Sequence, residues 1–129
     1  MSNNIEFYCN IFKGYSLFSD QPPGTNVGGI GIYVKSDFNP KLLSVYKIQK
    51  SDKNRNENIW LQVMKNGEKY IIGGCYRHRN QSIQEFNSSL EQTHGLISSQ
   101  KLPCIFVGDI NIDLLKYEID MDTINQLRQ

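Results

Sequence analysis

Asn66-Gly67 constrains this chain more than any other pair of residues. It separates two apolar, β-prone runs, residues 59–65 and 68–75. Asn-Gly supplies the two positive-φ positions of a type I′ turn, so the flanking runs should pair antiparallel. That register puts Leu61 and Val63 on one face with Tyr70 and Ile72. Trp60 and Met64 join Ile71 on the other. Apolar residues on both faces suit a central strand pair covered on both sides.

The next segment adds a helix and a parallel strand. Ser82-Ile-Gln-Glu85 reads as a capping box, in which the Ser82 hydroxyl accepts from the Glu85 amide and Glu85 reaches back. Ile83, Phe86, Leu90 and Ile97 then fall on one helical face, and Gly95 weakens the second half. Leu102-Pro-Cys-Ile-Phe-Val-Gly108 reads as a short buried strand. Strand, amphipathic helix and strand form a right-handed βαβ unit, so the second strand should run parallel to the first. Residues 5–12, 15–18, 28–34 and 42–48 are further expected strands, residues 50–58 an exposed polar loop, and residues 121–127 a short last helix. The class is α/β with a mixed sheet.

A length of 129 residues suits one domain. A hydrophobic share of 39% with 11% aromatic residues excludes a disordered tail, and no apolar run approaches the length of a membrane helix. The first residues lack the basic and apolar regions of a signal peptide. Cys9, Cys75 and Cys104 are odd in number and show no metal-ligand spacing, which points to reduced thiols and no zinc. The expected location is therefore intracellular, nuclear or cytoplasmic, and not secreted. Residues 1–101 carry 12 basic and 8 acidic side chains, whereas residues 102–129 carry 2 and 5. That split allows a basic nucleic-acid surface beside an acidic pocket, and is also an ordinary fluctuation for a small domain.

Two polar clusters carry possible chemistry. Gly108-Asp-Ile-Asn-Ile-Asp113 follows a strand immediately, in the crevice where α/β sheets bind ligands. Asp109 can take a proton from an attacking water or hold a metal, and Asn111 can donate to a phosphate oxygen. The same two residues would equally form an Asx-turn. Tyr76-Arg77-His78-Arg79 also lies at a strand end, and parallel strands would bring it to the same rim. Arg77 and Arg79 could contact phosphates and Tyr76 could donate to a phosphoryl oxygen; a solvated basic loop fits as well. His78 alone would be an ordinary surface histidine, and His94 plain helix structure.

The succession Gly28-Gly-Ile-Gly-Ile-Tyr-Val, Ile-Trp-Leu-Gln-Val, Gly-Gly-Cys-Tyr-Arg, Ser-Ile-Gln-Glu-Phe and Pro-Cys-Ile-Phe-Val-Gly-Asp-Ile-Asn-Ile-Asp resembles the endonuclease/exonuclease/phosphatase superfamily. It is most similar to the apurinic-type endonuclease domains of non-LTR, LINE-like retrotransposons, over roughly residues 5–117. The resemblance implies a two-sheet α/β sandwich with mixed sheets flanked by helices. It also implies Mg²⁺-dependent (or Mn²⁺-dependent) cleavage of DNA phosphodiesters, leaving a 3′-hydroxyl that primes reverse transcription. Carried over residue by residue, Asp109 orients or deprotonates the attacking water and is the metal residue. Asn111 and Tyr76 contact the scissile phosphate. Arg77, His78 and Arg79 stand on the substrate-binding side, with Arg79 where the family usually has proline.

The implied partner is DNA, with a reverse transcriptase in a parent polyprotein and no membrane; oligomeric state is not legible. The family's early Asn motif, its metal-ligating Glu and its closing Ser-Asp-His motif find no counterpart, Glu6 standing in another context. The expectation is one partial domain over residues 1–129, a central fragment whose cleavage is weak or lost. The alternative is a non-catalytic remnant that retains nucleic-acid or protein binding. A lipid or inositol phosphate phosphatase is a third branch, disfavoured by the Gly-Gly-Ile-Gly-Ile-Tyr-Val and Cys-Tyr-Arg pattern.

Overall fold

The fold is that of a computed structural model, which describes residues 11–22, 24 and 28–112. Most of the expected strand at 5–12, the expected helix at 121–127, and Glu6, Cys9 and Asp113 lie outside the described residues.

The Asn-Gly turn forms as expected, with Asn66 at φ 53° and Gly67 at φ 78°. It joins β4 (Asn56–Lys65) to β5 (Glu68–Arg77) in antiparallel register, from Lys65 opposite Glu68 to Asn56 opposite Arg77. The ribbon is longer than the apolar runs that predicted it, because three polar residues extend β4 at its start. A two-residue strand β3 (Lys41–Leu42) pairs with the outer edge of β4. Beyond it residues 44–46 close a 3-10 turn, so the strand expected over 42–48 is not made. The reason is local: Leu43 N–H still donates to Trp60 O at 2.8 Å, but Tyr46 and Lys47 then bond back to Leu43 and Ser44 and curl the chain inward.

α1 (Ile83–Ser98) leads to β6 (Cys104–Asp109), which lies parallel to β5 as the βαβ reading requires. Half of the capping box is present: Glu85 N–H donates to Ser82 Oγ at 3.2 Å. The other half is replaced, since Ser82 N–H donates to Lys53 O and the Glu85 carboxylate accepts from Ser51. The four-stranded sheet thus has the order β3-β4-β5-β6. A separate antiparallel pair, β1 (Tyr15–Asp20) and β2 (Ile30–Lys35), covers one of its faces.

Alternation along β4 and β5 divides the core in two. Ile59, Leu61, Val63, Tyr70 and Ile72 meet Phe18, Ile30, Ile32 and Val34 of the two-stranded sheet. Trp60, Ile71 and Cys75 meet Phe86 and Ile97 of α1, with Tyr46 and Ile48. Gly73 and Gly74 thin the sheet between these layers. A Cβ at Gly73 would overlap the Trp60 indole, which stacks on Phe106 at 5.3 Å across the glycine; a Cβ at Gly74 would press on Ile32 at 2.9 Å. The architecture is α/β, two sheets and a helix in layers, in agreement with the class read from the sequence.

Two expectations about burial are corrected. β6 is exposed along its whole length, with Ile105 and Val107 each 56% accessible. It flanks the sheet, and the β1–β2 pair packs over β4 and β5 instead. Conversely, the stretch expected to be an exposed polar loop contains Asn54, Asn56, Glu57 and Asn58, all buried.

Candidate functional site

The buried polar residues explain themselves through hydrogen bonds. Asn54, Asn56 and Asn58 form a ladder facing α1: Asn58 Nδ2 donates to Asn56 Oδ1 at 2.7 Å and Asn56 Nδ2 to Asn54 Oδ1 at 3.2 Å. Asn58 also accepts from Ile48 N–H and Trp60 Nε1 and donates to Ile48 O, so all its amide groups are occupied. Burial of amides at this density is tolerable only because each finds a partner. The ladder binds the 47–54 loop to the start of β4.

Asp20, at the end of β1, ties the second sheet to the same place. Its carboxylate accepts from Asn58 N–H at 2.9 Å, Lys50 Nζ at 2.8 Å and Lys47 Nζ at 3.2 Å. Burial would raise its carboxyl, but the Lys50 bond, the Asn58 amide and the Lys47 bond together hold it below its ordinary 3.8.

On the face away from α1, three chemically able side chains stand in one cross-strand row. Glu57 on β4 is directly opposite Tyr76 on β5, and Tyr76 is directly opposite Asp109 on β6. Facing residues on neighbouring strands share a side of the sheet. Tyr76 and Asp109 therefore emerge together at the carboxyl ends of two parallel strands. Glu57 is 2% exposed and pairs with His78, whose Nε2 lies 2.6 and 2.9 Å from its two oxygens. The His78 ring in turn meets Tyr76 edge-on, with centroids 5.1 Å apart.

Arg77 points to the opposite face and is buried. Its Nε donates to Ile110 O at 2.6 Å, its NH2 to Asn111 O at 2.8 Å, and its NH1 to Gln81 O at 2.7 Å and His78 O at 3.2 Å. One guanidinium thus pins both rim loops, the one after β5 and the one after β6. Burial pushes the neighbouring Cys75 thiol up to about 12, with the Glu57 charge adding to the rise and the same arginine opposing it. That thiol is an inert core group.

Asp109 Oδ1 accepts from Asn111 N–H at 2.9 Å, which is the Asx-turn anticipated from spacing. Asn111 sits at φ 51°, a left-handed conformation that asparagine tolerates. Its side chain donates to Arg77 O at 2.5 Å and accepts from Arg79 Nε at 3.2 Å. Arg79 and Asn80, with residues 108–112, line an open cleft of about 710 Å³ beside Asp109.

The structure thus brings Tyr76, His78, Arg79, Asp109 and Asn111 to one rim and turns Arg77 beneath it. Sequence reading missed Glu57, which lay in a run of charged and amide residues that looked like a loop. The available signal was alternation: Glu57, Ile59, Leu61 and Val63 continue one face of β4 into the polar stretch.

No protein-family model matches the chain, and no curated protein matches it. Among solved structures it is similar to a humanized D. rerio TDP2 carrying 14 mutations, at 15% identity and a TM-score of 0.45, over 88% of this chain and 49% of that one. The chain spans about half the length of that structure.

Proposed function

We propose that the rim formed by Tyr76 and Asp109 is a metal-dependent phosphodiester-cleaving site acting on DNA, of the endonuclease/exonuclease/phosphatase type. Within that superfamily the motif order favours the nicking endonuclease of a non-LTR retroelement. The observation that carries this reading is the pairing of Tyr76 with Asp109 at the carboxyl ends of β5 and β6, beside a cleft edged by Arg79. In the proposed step a water oxygen bonds to phosphorus and its proton passes to Asp109. The bond from phosphorus to the 3′-oxygen breaks, and that oxygen takes a proton from solvent. Tyr76 donates a hydrogen bond to a phosphoryl oxygen as charge builds there, and Arg79 holds the strand by its phosphates.

Proteins that act on phosphates commonly hold Mg²⁺ through only one or two carboxylates, with substrate phosphates and waters as the other ligands. Asp109 fits that requirement, being an exposed carboxylate with one oxygen oriented by the Asn111 amide. No group of three His, Cys, Asp or Glu side chains gathers among the described residues, so phosphate and water would complete the shell. Bound there, the ion would offset the negative charge at phosphorus.

A second reading, non-catalytic DNA binding, is favoured by Asn111, whose amide is engaged by Arg77 O and Arg79 on both sides. Supercoiled-plasmid nicking separates the two. Weak nicking that requires Mg²⁺ or Mn²⁺ and falls at least about 100-fold in Asp109→Asn supports cleavage. Salt-sensitive retention of DNA, weakened by Arg79→Ala and with no metal-dependent nicking, supports binding alone.

A further inference from the structure

We propose that Glu57 is a positioning residue for this rim: acting through His78, it fixes the Tyr76 ring beside Asp109. The consequence for catalysis rests on the phosphodiesterase reading, whereas the positioning is a property of the folded chain.

Alternation puts residues 76 and 78 on the same side of the strand, and Glu57 is opposite the first and diagonal to the second. Among the described residues, every hydrogen bond of the Glu57 side chain goes to His78 Nε2. The pair is asymmetric in burial, since the Glu57 side chain is 3% exposed and the His78 side chain 28%. A carboxylate so buried is costly unless paired, so the imidazole is held firmly on its open side. The His78 backbone is fixed too, its N–H donating to Arg55 O at 3.1 Å. The ring is thereby wedged between a buried carboxylate and the Tyr76 ring.

The chemistry makes the orientation specific. A carboxylate only accepts hydrogen bonds, so the nitrogen facing it carries the hydrogen, and a neutral His78 is held as its Nε2–H tautomer. Glutamine at position 57 keeps the shape but can either accept or donate, which releases that choice. Tyr76 then loses the fixed edge against which it packs.

The test uses ¹⁵N-labelled chain for the imidazole tautomer and 3-fluorotyrosine placed at position 76 alone. The wild type should show His78 in a single Nε2–H form and one sharp fluorine resonance. Glu57→Gln should mix the tautomers and shift or broaden the resonance while a cooperative melt is retained. His78→Ala should move the resonance likewise, and His94→Ala, on the exposed side of α1, should leave it in place. In plasmid nicking, Glu57→Gln should lower kcat about tenfold with KM within about twofold, and should add nothing to Tyr76→Phe. A wild type that nicks no plasmid defeats the functional reading while the spectra still decide the role of Glu57. The proposal is overturned by a wild-type His78 protonated on Nδ1 alone. It is equally overturned by a Tyr76 resonance that Glu57→Gln and His78→Ala leave unmoved. If Glu57→Gln does not fold, His78→Ala, at the half-exposed partner, decides alone.

Discussion

The two ends of the β4–β5 ribbon are built by opposite means. At the Asn66-Gly67 end the chain reverses through backbone preference, and the side chains around it are exposed. At the other end Asn56, Glu57 and Asn58 face Cys75, Tyr76 and Arg77, five of the six residues are buried, and hydrogen bonds to distant loops satisfy the polar ones. The first end is a local device that would form in many contexts. The second exists only when residues 20, 48, 78, 81, 110 and 111 are all in place, and it is the end that bears the rim. The comparison teaches where the stability of this fold is concentrated and why the candidate site is there: a rigid polar scaffold holds catalytic geometry better than a flexible one.

Substitutions of graded severity can break that contrast. Asn58→Ala should have the largest effect, about 3–4 kcal/mol in a urea titration, because it strands Ile48 N–H, Ile48 O and Trp60 Nε1 without partners in the core. Arg77→Met should follow at about 2–3 kcal/mol, leaving four carbonyls of the rim loops unmatched. Amide exchange should accelerate first around residues 78–81 and 110–112. Gly67→Ala should cost only about 1 kcal/mol, the strain of holding alanine at φ 78°. If the turn variant proves as damaging as Asn58→Ala, the two ends are not different in kind.

The smallest effect sharpens the contrast by pH. Asp20 lies below its ordinary 3.8 in the folded chain, so its contribution is full above that value and is lost as pH falls through the folded one. Asp20→Asn should therefore lower stability at neutral pH and flatten the stability profile below about pH 4. Glu68, paired with Tyr70 at the exposed end, should show no comparable loss when replaced by Gln.

What the sequence made legible follows the same division. The hairpin, its two faces, α1 and the parallel return of β6 all come from rules that act over a few residues, and they placed Tyr76 and Asp109 on one rim. Glu57 was invisible because its neighbours, Arg55, Asn56 and Asn58, carry the composition of a loop, and nothing local says that Glu57 and Asn58 find partners 10 to 38 residues away, at Ile48, His78 and Asp20. Arg77 reads as a phosphate ligand by type and is instead spent on carbonyls, a fate fixed by which face β5 turns toward α1. The expected burial of β6 failed for a related reason, since apolar content shows a preference for cover without showing that a neighbouring layer supplies it.

The side-chain-free window at Gly73 and Gly74 has a consequence for how such a chain can change over time. Trp60 occupies the space above one glycine and Ile32 the space above the other, so neither position can drift by itself. Any lineage that acquires a larger residue at 73 must first, or at once, give up the indole at 60 and with it the stack on Phe106. Positions 60, 73 and 106 should then vary as a set among descendants of this sequence, with 32 and 74 as a second set. The path between two permitted combinations passes through intermediates that fold poorly.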